Sequence, residues 1–366
     1  MTHRGILLLV MALTLISCRV PGTIPQDGVL PDTPVAGPAA PVERARLPED
    51  EGRHDRLMEW WYYTGHLDTA DGRPGELGFE LVVFQVLRGR LPPVYLAHFA
   101  IADITRGVFR YQERTEPRPD LAAALTRESR LAEPGLRLNV GDWTILARDG
   151  LDRLRASMPE YAIDLTLTAT KPPALHQGTG LVEYGQAGYS YYYSRTRMAV
   201  QGTLVDHGVP RPVGGDAWMD HQWGDFITLL GGGWDWFSLQ LDDGSEYMIY
   251  EIRDQKTGQP YDRFATRIDP DGRTTDLPDN GFRLDVTGRW ESPRTRATYP
   301  AAWSIVIPAD DVTLTVLPKL ADQELVTEGT GVSYWEGAVA VSGTRGGRSI
   351  AGRGYVELTG YADLGG

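Results

Sequence analysis

The chain has 366 residues, enough for about two domains, and its 42% hydrophobic and 23% charged residues are typical of a folded globular protein. Lys and Arg number 36 against 49 Asp and Glu, and the resulting net charge of −13 argues against a nucleic-acid partner and against electrostatic docking on anionic lipid. The single cysteine excludes an intrachain disulfide, a zinc site built on several thiolates and an iron–sulfur cluster.

The N-terminus is typical of a bacterial lipoprotein signal peptide. His3 and Arg4 precede an apolar run over residues 6–16, which is too short to cross about 30 Å of hydrocarbon as a helix. The run leads into Ser17-Cys18, which resembles a lipobox, where cleavage before the cysteine leaves a thiol for acylation. We therefore predict a signal peptide over 1–17 and an exported protein whose only membrane attachment is a lipid on Cys18. The alternatives are an ordinary secretory signal or a reactive thiol.

In a host with two membranes, the absence of Asp after Cys18 favours the outer membrane, with the protein facing the periplasm. Residues 18–50 predict a tether behind the anchor. The stretch 20–41 is rich in Pro, Gly, Ala and Asp, and it has no apolar periodicity and no aromatic residue.

The body that follows is predicted to be all-β. Short runs with alternating or apolar residues lie between Gly-containing turns, at 80–86, 94–103, 161–168, 197–204, 237–241, 247–252, 303–307, 312–316 and 339–342. Closing such antiparallel strands into barrels removes their exposed edges. The one fair helix candidate is the Ala- and Leu-rich stretch 119–131.

The body also carries a trace of internal duplication. Residues 60–68 align with residues 234–242 without a gap, with Trp, Leu and Asp coinciding and Thr64 falling on Ser238. We therefore predict one barrel over 51–230 and a second over 231–366, although a nine-residue match can also arise by chance.

Aromatic residues and histidines mark candidate ligand positions. Four consecutive rings would cover both faces of one strand, either as core packing at a barrel mouth or as the wall of a pocket for a long apolar ligand: Trp60, Trp61, Tyr62 and Tyr63. His98 shares its face with Leu96 and Ala100, and it either points inward or is a core histidine with satisfied hydrogen bonds. The tyrosine-rich stretch 188–194 suits a wet pocket or an interface.

The stretch 214–225 contains the most candidate catalytic residues. It includes Asp216, Trp218, Asp220, His221, Trp223 and Asp225. On a strand, His221 and Trp223 share one face, Asp225 joins them if the strand persists past Gly224, and Asp220 takes the other face. A histidine among aromatic rings can act as a general acid or base, and the rings can stabilise a carbocation. The alternative is a buried, hydrogen-bonded histidine with tryptophans filling a barrel end.

Three familiar sites have no matching pattern. His54, His66, His98 and His221 show no short zinc spacing such as H-E-x-x-H, so we predict no metal. The turn at 72–75 lacks the Gly-Lys-Ser/Thr of a phosphate loop, and no G-x-S-x-G elbow offers a nucleophilic serine.

Several of these motifs together resemble the AttH/CrtC family of lipocalin-like proteins. The resemblance runs from about residue 53 to the end, and it rests on residues 59–63, 97–99, 188–191, 218–225, 234–242 and 354–361. It implies two consecutive lipocalin-like antiparallel β-barrels. The family includes carotenoid 1,2-hydratases, which add water to an alkene of an acyclic carotenoid without a cofactor.

The resemblance also implies catalytic residues. It implicates a His-x-Trp pair, here His221 and Trp223, and a tyrosine followed two residues later by an aspartate. Tyr250 is the nearest equivalent of that tyrosine, but residue 252 is Ile. The acid of the family is therefore not carried over, and Asp220 or Asp225 would have to replace it.

Two hypotheses follow. In the first, the protein is a cofactor-independent hydratase or hydrolase for an isoprenoid- or lipid-like substrate, using His221, Trp223, Tyr250 and either Asp220 or Asp225. In the second, it is a carrier that hands an apolar molecule to an ABC-type transporter. Either ligand would lie against Trp60, Trp61, Tyr62, Tyr63, His98, Trp218, Trp234 and Trp236.

Overall fold

The computed structural model describes residues 44–69, 76–87, 93–116, 135–184, 188–226, 233–254, 257–329 and 331–362. The predicted signal peptide, Cys18, most of the predicted tether and the helix candidate 119–131 lie outside these residues. Within them, no helix combines the length and the apolar character needed to cross a lipid bilayer.

The first sheet contains twelve described strands, all antiparallel to their neighbours. In chain order they are β1 (Met58–Thr69), β2 (Glu76–Val86), β3 (Val94–Asp103), β4 (Val108–Glu116), β5 (Leu136–Val140), β6 (Trp143–Arg148), β7 (Leu151–Ser157), β8 (Tyr161–Ala169), β9 (Ala174–Leu175), β10 (Leu181–Glu183), β11 (Gly188–Asp206) and β12 (Val209–Phe226). Their order across the sheet is β4-β3-β2-β1-β12-β11-β8-β7-β6-β5, with β9 and β10 also pairing with β11. The edge strands β4 and β5 lie beside each other, so the sheet curls into a barrel-like shape.

The second sheet contains ten described strands. They are β13 (Trp234–Leu241), β14 (Glu246–Arg253), β15 (Pro260–Ile268), β16 (Thr274–Leu277), β17 (Arg283–Glu291), β18 (Thr298–Ile307), β19 (Val312–Pro318), β20 (Glu324–Val326), β21 (Ser333–Arg345) and β22 (Arg348–Thr359). Their order is β16-β15-β14-β13-β22-β21-β19-β18-β17, with β20 also pairing with β21. The described 3-10 helices span Glu49–Glu51, His176–Gly178, Asp279–Gly281 and Pro308–Asp310.

These sheets confirm the predicted all-β class with two consecutive barrel-like sheets. The second sheet repeats the strand order of the first, with β13 in the place of β1 and β22 in the place of β12. This repetition agrees with the duplication predicted from residues 60–68 and 234–242. The domain bounds 51–230 and 231–366 stay a prediction.

Among the described residues, the alternation of side chains along the strands produces three apolar cores. One core fills the inside of each sheet, as at Phe79 and Phe99 in the first and at Phe237 and Trp303 in the second. The third core lies where the outer faces of the two sheets meet, and Tyr62 packs there. Strand β1 is therefore buried on both faces, which explains why large rings occupy successive positions along it.

The contact between the sheets is reciprocal. When the duplicated segments are aligned, His66 on β1 corresponds to Gln240 on β13, and the strand registers make Ala217 on β12 the counterpart of Gly354 on β22. His66 Nε2 lies 3.0 Å from the carbonyl oxygen of Gly354, and Gln240 Nε2 donates to the carbonyl oxygen of Ala217 at 3.1 Å. Each sheet thus offers the other the same contact.

The residues before β1 pack against the first sheet. Ala45 is buried, and its amide donates to the carbonyl oxygen of Thr179 at 2.9 Å. Glu51 is buried in an ion pair with Arg195. The structure therefore places the end of the predicted 18–50 tether, residues 44–50, against the folded body.

At Gly78 the two sheets lie so close together that a larger residue would not fit without a shift. A Cβ at this position would lie 2.3 Å from the Tyr355 hydroxyl and 2.9 Å from the Cβ of Ala338, both on the opposite sheet. We expect Gly78→Ala to lower the free energy of unfolding by roughly 1–3 kcal/mol, because the sheets must separate locally. Urea denaturation measures this change.

The control is Gly214→Ala on β12, where an added Cβ would lie 3.5 Å from the carbonyl oxygen of Val200, an ordinary contact. Equal destabilisation by both substitutions would contradict the close approach.

Candidate functional site

The side chains of the motif at 214–225 alternate along β12 between the core inside the first sheet and the core between the sheets. Met219 and Trp223 lie in the core inside the first sheet, and His221 shares their side of the strand. Trp218 lies in the core between the sheets, and Asp220 shares that side. The opposite faces predicted for His221 and Asp220 are therefore observed, and these two candidate catalytic residues belong to different sites.

The site inside the first sheet centres on Glu59. His221 is buried, and its Nε2 lies 2.9 Å from Glu59 Oε1. The His221 ring stacks on Trp61 with 5.0 Å between the ring centroids, and Tyr193 meets it edge-on at 5.4 Å. Burial lowers the pKa of His221 to about 4, although the Glu59 carboxylate opposes this shift. His221 is therefore a neutral imidazole near pH 7.

Trp223 and Asp225 hold the segment that precedes β1. The Trp223 ring stacks on His54 at 4.2 Å with an interplanar angle of 4°. Asp225 accepts hydrogen bonds from Arg56 Nη1 and from the Leu57 amide, each at 3.0 Å. The Asp225 side chain is partly exposed, and its contacts anchor the segment before β1 to β12.

The core between the sheets contains a cluster of buried acids that we call the carboxyl cluster. It consists of Glu80, Asp220, Glu336 and Glu357, one each on β2, β12, β21 and β22. Within the described part of the chain, no Lys, Arg or His forms an ion pair with any of the four. Since an unpaired buried charge is costly, such acids favour their neutral form.

Two members of the cluster face each other directly. Glu336 on β21 and Glu357 on β22 are cross-strand partners. Like charges at such positions repel, so one proton at least is retained near neutral pH. Burial raises the pKa of Glu336 well above its usual value, and the neighbouring Glu80 and Glu357 add to the rise.

The other acids are shifted in the same direction. Burial raises the pKa of Glu80 to about 8, against the lowering effect of the Tyr334 hydroxyl, which donates to Oε1 at 3.0 Å. Burial raises the pKa of Glu357 to about 7, although Trp234 Nε1 donates to it at 3.0 Å.

Asp220 is the most completely hydrogen-bonded member. Tyr192 and Trp218 each donate to it at 2.6 Å, and Ser194 also donates to it. Burial nevertheless raises its pKa to about 7. Because its oxygens are engaged, Asp220 is fixed in place.

Glu80 and Glu336 each retain one free oxygen. Tyr62 donates to Glu336 Oε1 at 2.6 Å, while Oε2 of Glu336 has no hydrogen-bond partner among the described residues. Oε2 of Glu80 likewise has none. A buried polar atom without a partner is uncommon in a folded protein, so these two oxygens single out Glu80 and Glu336 within the cluster.

His98 faces the second sheet, so the alternative in which it points into the first barrel is wrong. The neighbouring Ala97 and Phe99 take the inner positions on β3. His98 Nδ1 lies 2.6 Å from the Tyr334 hydroxyl, and burial lowers its pKa to about 4. His98 is therefore a neutral group beside the Tyr334–Glu80 hydrogen bond.

The predicted ligand-pocket rings are also divided between the two sites. Trp61 and Tyr63 lie inside the first sheet, whereas the others pack between the sheets: Trp60, Tyr62, Trp218, Trp234 and Trp236. Tyr62 and Trp236 meet edge to face at 5.2 Å, directly beside the carboxyl cluster.

Partly exposed rings mark one border of the region between the sheets. They are Trp60, Phe84, Tyr184 and Trp234, which pack against the buried rings of this core. Phe84, Val82 and Glu80 lie on the same face of β2, so this ring-lined border leads along one strand to the carboxyl cluster.

Tyr250 also lies between the sheets, where it forms a hydrogen bond to a carboxyl group that the sequence motifs did not indicate. Its hydroxyl donates to Asp262 Oδ2 at 3.1 Å. Asp262 on β15 is the cross-strand partner of Ile252. An acid thus stands beside the position where the family resemblance implies one, but on the next strand.

The sequence motifs do not single out four of these acids, because each lies within an ordinary strand: Glu80, Glu336, Glu357 and Asp262. The available signal was a glutamate at a position where both faces of the strand are apolar or aromatic, as in the Glu80 segment Phe79-Glu80-Leu81-Val82. Reading that signal requires knowing that a second sheet covers the outer face.

The chain matches the AttH-like family model over residues 38–361. The chain belongs to the AttH-like family. A crystal structure of a protein assigned to AttH from Nitrosomonas europaea is 32% identical, with a TM-score of 0.77 over 89% of this chain and 99% of that chain. The predicted family is thereby confirmed.

Other relatives are named for an activity. The crystal structure of kievitone hydratase from Nectria haematococca is 18% identical, with a TM-score of 0.69 over 88% of this chain and 94% of that chain, which shows a shared fold. Kievitone hydratase of Fusarium solani subsp. phaseoli is 26% identical over 61% of this chain and 65% of that protein. Dehydratase asqC of Emericella nidulans is 27% identical over 56% of this chain and 60% of that protein. The chain thus spans less than two thirds of these two curated relatives.

Replacing a neutral buried acid should change how stability depends on pH. In the folded protein Glu80 stays protonated up to about pH 8, whereas in the unfolded chain it ionises near 4.5. The unfolded chain therefore releases this proton at a lower pH than the folded protein does. As a result, the free energy of unfolding falls as pH rises from 4.5 to about 8. We expect Glu80→Gln to flatten the decline between pH 6 and 9 by at least about 1.4 kcal/mol, measured by urea denaturation.

Glu183→Gln, at an exposed position on β10, is the matched control and should leave the slope as it is. Identical slopes for the wild type and Glu80→Gln would show that Glu80 already ionises in the folded protein at neutral pH.

Proposed function

We propose that this protein adds water to, or removes water from, a hydrophobic substrate held between the two sheets. The observation that carries the proposal is the carboxyl cluster, in which the buried acids have no cationic partner among the described residues and Oε2 of Glu80 and of Glu336 has no hydrogen-bond partner there. The names of the hydratase and dehydratase relatives support the same class of reaction.

Hydration of an unactivated alkene begins with proton transfer to carbon. A neutral carboxyl group can supply that proton at pH 7 only if its pKa is raised, as it is for Glu80. The alkene π electrons form the new C–H bond and leave a carbocation. Water then attacks the cation, and the released proton returns to the carboxylate. Dehydration follows the same steps in reverse.

We assign proton transfer to Glu80, whose pKa of about 8 lies near the working pH. Glu336 is its partner in the cluster, since the neighbouring Glu80 raises the pKa of Glu336. This exchange needs no cofactor, and general acid catalysis of this type contributes about 10²–10⁴-fold in rate.

Aromatic rings beside the cluster would stabilise the cationic intermediate. Tyr62 donates to Glu336 and packs against Trp236 at 5.2 Å, and Trp218 meets Trp236 at 6.1 Å. A cation over the face of such a ring gains about 0.5–2 kcal/mol. Because these rings surround the acids, we propose a substrate with an isoprenoid or similar apolar chain.

Purified protein should convert an acyclic carotenoid to a product heavier by one water, with oxygen from isotopically labelled water in the product. We expect Glu80→Gln to lower the turnover rate by about 10²–10⁴-fold, because the proton donor is lost. Mass spectrometry of timed reactions measures the change. Wild-type activity should also decline as pH rises through about 8, where Glu80 ionises.

Glu183→Gln serves again as the control and should retain full turnover. Tight retention of the carotenoid without conversion would contradict the enzyme and favour the carrier that works with an ABC-type transporter. Unchanged turnover in both Glu80→Gln and Glu336→Gln would remove the carboxyl cluster from the reaction.

We also propose that the protein is exported and anchored to the membrane through acylated Cys18. The support is the sequence Leu15-Ile16-Ser17-Cys18 after a short apolar run. In bacteria expressing the full chain, the wild type should incorporate labelled palmitate and sediment with membranes. Cys18→Ser should lose the label and become soluble or remain uncleaved. Labelling of Cys18→Ser at the wild-type level would contradict the anchor.

A further inference from the structure

We infer that His54, Glu59 and His221 form a binding site for a divalent transition-metal ion of the zinc type. His54 Nδ1 and His221 Nε2 lie 2.8 Å and 2.9 Å from the same oxygen, Oε1 of Glu59. One ligand atom from each residue lies within 4.8 Å of the other two. Two imidazoles and one carboxylate are a ligand set that zinc accepts, with water completing a tetrahedron.

The two contacts to Glu59 require only a small adjustment. Ligand atoms about 2.0–2.2 Å from a tetrahedral zinc ion are roughly 3.3 Å apart, so each nitrogen would move from Glu59 Oε1 by about 0.4–0.5 Å. Coordination would replace the protons that now link the two imidazoles to the carboxylate. Within the described chain, no Lys or Arg forms an ion pair with Glu59, so no side-chain cation would compete with a metal ion for this carboxylate.

Surrounding polar groups already hold Glu59 and His54, two of the three side chains. The second oxygen of Glu59 accepts from the His54 amide at 2.8 Å and from Gln85 Nε2 at 3.1 Å. His54 Nε2 faces Asp50 Oδ1 at 3.5 Å, the carboxylate–histidine arrangement that often supports a metal ligand. Gln85 in turn accepts from Arg53 at 2.8 Å.

Ring stacking and burial complete the site. Trp223 lies parallel to His54, and Trp61 stacks on His221, so both imidazole planes are held. Glu59 and His221 are fully buried, while 19% of the His54 side chain is exposed. An ion would therefore enter beside His54 and then be shielded from solvent.

The site joins parts of the chain that are distant in sequence. His54 precedes β1, Glu59 lies on β1, and His221 lies on β12. A bound ion would fasten the segment before β1 to the barrel, which is a structural role separate from the carboxyl cluster. Our sequence prediction of no metal relied on short local spacing, and such a test does not detect ligands brought together by strand pairing.

The test uses the full-length protein without a polyhistidine tag, stripped with a chelator and titrated with zinc chloride by calorimetry. We expect one ion per chain and a melting temperature that rises with zinc concentration. Cobalt(II) at the same site should give the visible absorption of a tetrahedral ion. His54→Gln should weaken zinc binding at least 10-fold, and Glu59→Gln should weaken it further.

His207→Gln is the matched control, because His207 is an exposed histidine whose Nδ1 lies 2.8 Å from the Asp206 carboxylate. It should bind zinc as the wild type does. His54→Gln guards against a folding defect in Glu59→Gln, because His54 is only partly buried. Absence of stoichiometric zinc binding in the wild type would overturn the inference. Equal affinity in the wild type and in folded His54→Gln would do so as well.

Discussion

The packing of the two sheets against each other is the constraint on which the rest of the structure depends. It buries the outer faces of β1, β2, β12 and their counterparts, so that glutamates which would be solvated on a single barrel lose their water. Desolvation then keeps protons on Glu80 and Glu336, against the ordinary preference of a carboxyl group at pH 7. The proposed chemistry therefore follows from the contact between sheets.

The carboxyl cluster illustrates a conflict between stability and reactivity. A well-packed apolar group at Glu336 would avoid the cost of facing Glu357 across the strands. The acids are tolerated because each accepts a hydrogen bond from an aromatic residue, as Glu336 does from Tyr62 and Glu357 from Trp234. Glu80 and Glu336 each keep one oxygen without a hydrogen-bond partner among the residues that the structure describes, and this incomplete satisfaction makes the cluster a candidate site.

Local patterns predicted the fold and the orientation of several residues. Alternation along β12 placed His221 and Asp220 on opposite faces, because the side-chain period of a strand is two. The same alternation could not tell which face of β3 is inner, so it left His98 open. The sequence also could not reveal Glu59 beside His54 and His221, or Asp262 beside Tyr250. These pairs form through strand register and chain entry, which involve residues far apart in the sequence.

The reciprocal contact between the sheets also shows an advantage of having both barrels in one polypeptide. Under the alignment that relates His66 to Gln240, Asp216 corresponds to Arg353, and these two counterparts form an ion pair at 2.7 Å. If two identical barrels met through this face about a two-fold axis, that position would meet its own copy, with like charges opposed. Joining both barrels in one polypeptide lets the two copies diverge, so that opposite charges can occupy a self-facing position.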